Sequence, residues 1–286
     1  PMHIAEGVTI SQPPSNGFQC ATCHNDLQEF TLYEVEEVEF PSGAVLSMDP
    51  ESNLCINCHQ GRQSGLDVQN LTAGLEPDEQ SDSLRFLNIH YFAAGATRFG
   101  SEAMGAFEYD DKEYAGYFDH SNMNGCTDCH STHGLQVQWE ECAECHEEVE
   151  GPEGIYDIRY TFVDWDGDGD DEEGMAMEVA TLREMLYEVM QAYATDVVGT
   201  SILYDSHSYP YYFIDANGNG EIDEGEVGGS ETRYNSWTPR LLKAAYNYQY
   251  AAKDPGAFAH NGPYIVQVLQ DSIEDLGGDV SGMERP

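Results

Sequence analysis

Every cysteine in this chain falls in one pentapeptide pattern: CATCH at Cys20, Cys23 and His24, CINCH at Cys55, Cys58 and His59, CTDCH at Cys126, Cys129 and His130, and CAECH at Cys142, Cys145 and His146. Two thiols at this spacing can add to the two vinyl groups of one haem, and the histidine that follows supplies an axial ligand to the iron. A structural zinc site, a redox dithiol or a disulfide framework would also use paired cysteines. None of these explains a histidine directly after every pair, so the pattern predicts four covalently attached c-type haems.

Each iron has a second axial position on the opposite porphyrin face. Of the 10 histidines, those not used in attachment are His3, His90, His120, His133, His207 and His260. More candidates than positions predicts bis-His ligation, with Met104 and Met123 as alternative donors that would raise the potential. His133 is close enough behind His130 to predict a shared helical turn with both rings on nearly one face. It then cannot reach its own iron and is expected to serve a neighbouring haem. The short run from His130 to Cys142 leaves no room for a domain around each haem, so the third and fourth are expected side by side. His120, in YFDHSNMNG, and His90, in FLNIHYFAAGA, are distal candidates whose competing role is that of an ordinary surface or core histidine. His260 precedes an apolar run and is expected either to ligate or to cap a helix. His207 completes the candidates within the body of the chain. His3 lies in PMHIAEGVTISQPPSNGFQ, which reads as an extended arm over residues 1–19. At roughly 3.3 Å per residue it can reach its own chain or the next copy, with a frayed terminus as the competing state.

Two acidic loops carry a second kind of chemistry. IDANGNGEIDEGEV places Asp215, Asn217, Asn219, Gly220, Glu221 and Glu226 in the register of a calcium loop, with oxygens at alternate positions, a glycine for the turn and a closing glutamate. VDWDGDGDDEEGMAME repeats the register with Asp164, Asp166, Asp168 and Asp170, but Met175 stands at the closing position, so Glu172, Glu173 or Glu178 must complete a shell there. One or two calcium ions are therefore expected; a solvated acidic turn is the competing reading of each loop.

The charge is extreme, with 11 Lys plus Arg against 53 Asp plus Glu, a net −42. Too few basic groups remain to neutralise phosphates or anionic lipid, which argues against nucleic-acid partners and docking on anionic lipid. Both halves are acidic, so this is folded acidic surface and not a charged tail. With 40% hydrophobic and 11% aromatic residues, a packed interior is expected instead of disorder. No apolar run is long enough to span a bilayer and no leader pattern opens the chain. A secreted mature form outside the cytoplasm, where haem c is attached, is expected.

The elements that position these groups are sparse in the first half. TLYEVEEVEFPSGAVLSM predicts a short hairpin turning at PSG; the rest is read as loop around haems that form much of the core. In the second half three helices are expected. MAMEVATLREMLYEVMQAYA has apolar Met177, Leu182, Met185, Leu186, Val189 and Met190. SWTPRLLKAAYNYQYAAKD has Thr238 as N-cap and Pro239 at N1. The run after His260 carries Ile265, Val266, Val268, Leu269, Ile273 and Leu276 and stops at Gly277 and Gly278. Residues 1–150 are thus expected to form a tetrahaem region with its arm, and residues 151–286 a helical region with calcium loops packing on it.

The motifs, with a surplus histidine in CHxxH form, resemble the multihaem c-type cytochromes, and more narrowly the extracellular tetrahaem filaments called microbial nanowires. The resemblance covers roughly residues 1–150. It implies a loop-rich multihaem cytochrome fold, closely stacked haems, electron transfer without enzymatic chemistry, and a homopolymer in which His3 of one copy ligates a haem of the next. The segment from AAYNYQ through AHNGPY is also similar to the C-terminal helices of multihaem cytochromes related to nitrite and tetrathionate reductases, where the histidine before the helix is often an axial ligand. An altered CxxCK motif is missing here. The alternatives are a soluble monomeric carrier and a multihaem reductase with one open iron; redox proteins or extracellular acceptors are the expected partners.

Overall fold

The computed structural model describes residues 17–90, 92–159 and 161–286; His3 and most of the arm lie outside the described residues. The chain runs α1 (Cys20–Cys23), β1 (Val38–Glu39), β2 (Val45–Leu46), α2 (Pro50–Ile56), α3 (Gly65–Thr72), α4 (Ala94–Phe99), α5 (Cys126–Cys129), β3 (His130–Ser131), β4 (Gln136–Val137) and α6 (Trp139–Cys142). Then follow α7 (Met175–Tyr193), β5 (Ile202–Tyr204), β6 (Tyr212–Ile214), α8 (Pro239–Ala252) and α9 (Ala257–Asp275). The strands pair as three separate antiparallel hairpins, β1 with β2, β3 with β4 and β5 with β6.

The long helices form where apolar residues recur at helical spacing between clear stop and start signals. In α7 the buried face is Met175, Val179, Leu182, Leu186, Met190 and Tyr193. Met177, read from sequence as part of that face, lies on the outside, 51% exposed, because the stripe starts at Met175. Thr238 caps α8 by accepting from Leu241 N–H, and Pro239 opens the helix. Residues 264–273 of α9 are buried on every side, which makes it the central helix, packed against α4, α7 and α8. Its end carries Gly277 at φ +89, with Gly278 N–H returning to Ile273 O.

Three short helices, α2, α3 and α4, occupy a region read from sequence as loop. Their signals are capping residues: Asp49 ahead of Pro50 accepts from Glu51 and Ser52 N–H, and Ser64 with Asp67 forms a reciprocal capping box before α3.

The apolar core crosses residue 150. Val38, Phe40, Ile56, Val68, Ile89, Ala96, Phe99 and Phe107 join the side chains of α7, α8 and α9 in one cluster. Asn247 on α8 is a suture in this core. Its Oδ1 accepts from Phe107 N–H at 2.8 Å, and its Nδ2 donates to Phe107 O at 2.9 Å and to Ser272 Oγ at 3.0 Å. Asn247→Ala leaves both backbone groups of Phe107 buried and unpaired, and is expected to cost about 2–4 kcal/mol; urea unfolding followed by circular dichroism measures it.

Two stretches lack any core of their own. No hydrophobic side chain is buried among residues 17–37 or among residues 108–148. Three of the four CxxCH motifs sit in these stretches; the second, on α2, is the one attached to the protein core.

Candidate haem centres

Each motif is one closed helical turn. His24 N–H donates to Cys20 O at 2.9 Å, His59 to Cys55 O at 3.0 Å, His146 to Cys142 O at 2.9 Å, and His130 caps α5 through Cys126 O. Such a turn brings the first, fourth and fifth residues, the two thiols and the imidazole, to one side. None of the eight cysteines is in a disulfide.

Three attachment histidines face a second histidine ring. His24 and His133 lie 6.3 Å apart between centroids and within 11° of parallel. His130 faces His260 at 6.2 Å, and His146 faces His120 at 6.4 Å. A metal–imidazole bond of about 2 Å, with the ring centre about 1 Å beyond the nitrogen, puts two trans imidazole centres roughly 6 Å apart. The pairs therefore stand at the separation that one shared iron requires.

The tertiary structure separates His133 from His130 in a way the sequence reading did not anticipate. The two do not share a helical turn: His130 opens β3, and His133 lies in the turn to β4, where Gly134 N–H bonds Ser131 Oγ and Leu135 N–H bonds Ser131 O. The hairpin carries His133 across to His24. His260 sits in the first turn of α9, just before Asn261, whose φ of −168 and ψ of 77 kink the helix. His207 stands apart, its side chain 92% exposed and 3.4 Å from Asp205. Met104, at φ +51, lies beside the buried Ala103, and its backbone carbonyl accepts from Gly65 N–H at 2.9 Å.

Hydrogen bonds at Nδ1 leave Nε2 as the nitrogen free to ligate. His24 Nδ1 lies 2.7 Å from Phe30 O, His59 Nδ1 2.9 Å from Phe92 O, and His260 Nδ1 2.9 and 3.0 Å from the two oxygens of Asp254. Such partners fix tautomer and ring orientation in metal sites. Burial pushes the His130 imidazole down, helped by His260 and His59 nearby, which favours the neutral form that binds metal. Burial also works against a charged His260, but the charge and hydrogen bond of Asp254 outweigh it and the imidazole ends above its ordinary value. Cys55 and Cys126, from different motifs, are close enough to share a hydrogen bond, which draws Cys126 down to about 6 and pushes Cys55 up. Ser52 Oγ accepts from Cys126 N–H at 2.9 Å and ties α2 to α5. Facing imidazoles, thiols gathered on one side of each turn and segments without a core fit covalent haem.

Two proteins of Geobacter sulfurreducens are similar to this chain. The C-type polyheme cytochrome OmcB is 27% identical over 261 residues, and the C-type polyheme cytochrome OmcC is 26% identical over 260. This chain is a multihaem c-type cytochrome. Each alignment covers 78% of it and 30% of the relative, so the chain spans under a third of the length of these relatives. No family model matches it, and no solved structure matches it.

The two acidic loops of this multihaem cytochrome share one backbone design. Asp164 accepts from Gly167 and Gly169 N–H at 2.6 and 2.9 Å; Asp215 accepts from Gly218 and Gly220 N–H at 2.6 and 2.8 Å. Asp168 and Asp170 N–H bond Asp166 and Asp168 Oδ1, as Asn219 and Glu221 N–H bond Asn217 and Asn219 Oδ1. Glu226 closes the second loop on Ala216 N–H at 2.9 Å. In the first loop Glu178, from the opening turn of α7, takes that place on Trp165 N–H at 2.9 Å. Of the glutamates left open by the sequence, Glu178 thus closes the loop, and its carboxylate oxygens converge with those of Asp164 and Asp166 within 4.8 Å; Glu173 meets Asp166 and Asp168 in the same way. Asp166 Oδ2 and Glu173 Oε1 are buried with no hydrogen-bond partner. Burial first, then neighbouring carboxylates, push Asp166 up to about 6 and Glu173 to about 7. Glu172 is exposed and bonds only through its N–H to Asp170.

Proposed function

We propose that this chain transfers electrons through four closely spaced bis-histidine haems, without bond chemistry at a substrate. The three facing histidine pairs carry this reading. On this reading His133 serves the haem on His24, His260 the haem on His130, and His120 the haem on His146. For the haem on His59 we assign His90. Ile89 O accepts from Arg62 N–H at 3.1 Å and Phe92 O bonds His59, so His90 is bracketed against the motif. It is held at φ +72, a strained setting for a non-glycine residue of the kind that clusters at functional sites.

The third haem would be a junction. His133 leaves its hairpin for the first haem, Cys126 meets Cys55 of the second, and only the β3–β4 hairpin and α6 separate His130 from the fourth motif. Haem staining should return four haems per chain, and resonance Raman spectra should show low-spin iron alone. A high-spin component in the native protein would overturn closed ligation and favour the reductase reading.

The second reading gives the iron on His59 to His3, through the reach of the arm in its own chain or from a neighbouring copy. The intermolecular form would build a homopolymer. His90→Ala opening one iron supports the first assignment; His3→Ala opening it, with loss of filaments in electron micrographs, supports the second. In either case the proposed setting is extracellular, with redox proteins or extracellular acceptors as partners. Among the described residues no helix is long and apolar enough to cross a membrane.

Calcium in both loops completes the proposal, one ion held by Asp164, Asp166, Asp168 and Glu178 with the backbone of Asp170, the other by Asp215, Asn217, Asn219, Glu221 and Glu226. Asp166 and Glu173 titrate above their ordinary 3.8 and 4.5, so the fold binds more protons than the unfolded chain. Without a cation their contribution declines as pH rises from about 4 to about 7, and a bound cation removes that loss. Chelation is thus expected to lower the melting temperature more at pH 7.5 than at pH 4.5; calorimetry with and without a chelator checks it, and an equal effect at both would count against the first loop as a site.

A further inference from the structure

Asp254 lies in the short connection between α8 and α9, 2% exposed, with both carboxylate oxygens against His260 Nδ1. The ring has little freedom to turn away: a Cβ on Gly256 would lie 2.8 Å from His260 Cε1, so the imidazole packs directly on that backbone. Other Nδ1 partners differ in kind. His24 and His59 meet neutral carbonyls, and His146 lies 3.3 Å from Glu148, which is 43% exposed.

We propose that Asp254 is the positioning residue of the junction haem: it accepts the Nδ1–H of His260, aims Nε2 at the iron, and holds that haem's reduction potential down. This rests on His260 and His130 being the ligands of that iron. A full charge behind the ligand, in a water-poor setting, favours ferric over ferrous iron, since reduction adds an electron near a fixed carboxylate. The junction haem then gives electrons up to its neighbours instead of trapping them.

The test is Asp254→Asn in the protein with its haems attached, followed by a redox titration monitored by absorbance and by electron paramagnetic resonance. The amide keeps an acceptor for Nδ1–H and removes the charge. One midpoint potential is expected to rise by about 59 mV, a tenfold change in the one-electron equilibrium, with every haem still low-spin. Asp254→Glu should return that potential toward the native value. No shifted potential, an equal shift in both variants, or a high-spin haem in Asp254→Asn would overturn the proposal. His260→Ala separates the two claims: if it leaves every iron six-coordinate, the ligand assignment fails; if it opens one iron while Asp254→Asn moves no potential, the role of Asp254 alone fails.

Discussion

Replacing His133 with alanine is expected to open the iron attached through Cys20 and Cys23 and to leave the iron on His130 six-coordinate. Under the proposed pairing of the nearly parallel rings of His24 and His133, 6.3 Å apart, an iron held between them would lose its second protein donor with the imidazole. Water or an exogenous ligand takes the position, and the spin state of that haem changes. Resonance Raman and low-temperature electron paramagnetic resonance should show a high-spin component from one haem. Its origin can be fixed genetically. In a Cys20→Ala, Cys23→Ala background, which cannot attach that haem, His133→Ala should add no high-spin signal. A signal there would mean that His133 serves another iron.

Glu178→Ala is expected to be the most destabilising single change in the acidic region. Glu178 is fully buried; its Oε1 pairs with Arg159 at 2.8 Å, and its Oε2 accepts from Trp165 and Asp166 N–H at 2.9 and 3.0 Å. Arg159 also donates to the carbonyls of Thr161, Val163 and Glu173, so the guanidinium staples the loop to the start of α7. Losing the carboxylate leaves the cation, 10% exposed, without its counter-charge, an expected loss of about 3–5 kcal/mol. Calcium affinity should fall as well, by more than about tenfold if Glu178 closes the shell. Denaturant unfolding and calorimetric calcium titration read the two effects separately. Unchanged calcium binding with lost stability would restrict Glu178 to the ion pair with Arg159.

The attachment chemistry was legible because it is local: two thiols and an imidazole act together only when one helical turn gathers them, and sequence spacing specifies that turn. The start of α8 at Thr238 and Pro239, and the stop of α9 at Gly277, were legible for the same reason, since caps act over a few residues. The α2 and α3 helices were missed although Asp49, Ser64 and Asp67 mark them, because helices of 7 and 8 residues carry too short an apolar stripe to stand out. The stripe of α7 was placed slightly wrongly at Met177, since a helical period does not tell which edge of a stripe meets the core.

The distal ligands are a different case. Composition supplied the surplus of histidines, but the shared turn expected for His130 and His133 does not form, and it is the β3–β4 hairpin that sets His133 against His24, a residue more than a hundred positions earlier in the chain. The closing glutamate of the first acidic loop likewise depends on where α7 begins. Asp254 gave no signal at all, being an ordinary acidic residue in a KDPG turn until the kinked start of α9 sets His260 against it. The sequence by itself therefore determined which residues can hold haem and cations, because that chemistry is written in neighbouring positions. Only the tertiary structure decided which histidine rings face one another and which carboxylates converge, because those pairings arise from packing between segments far apart in the chain.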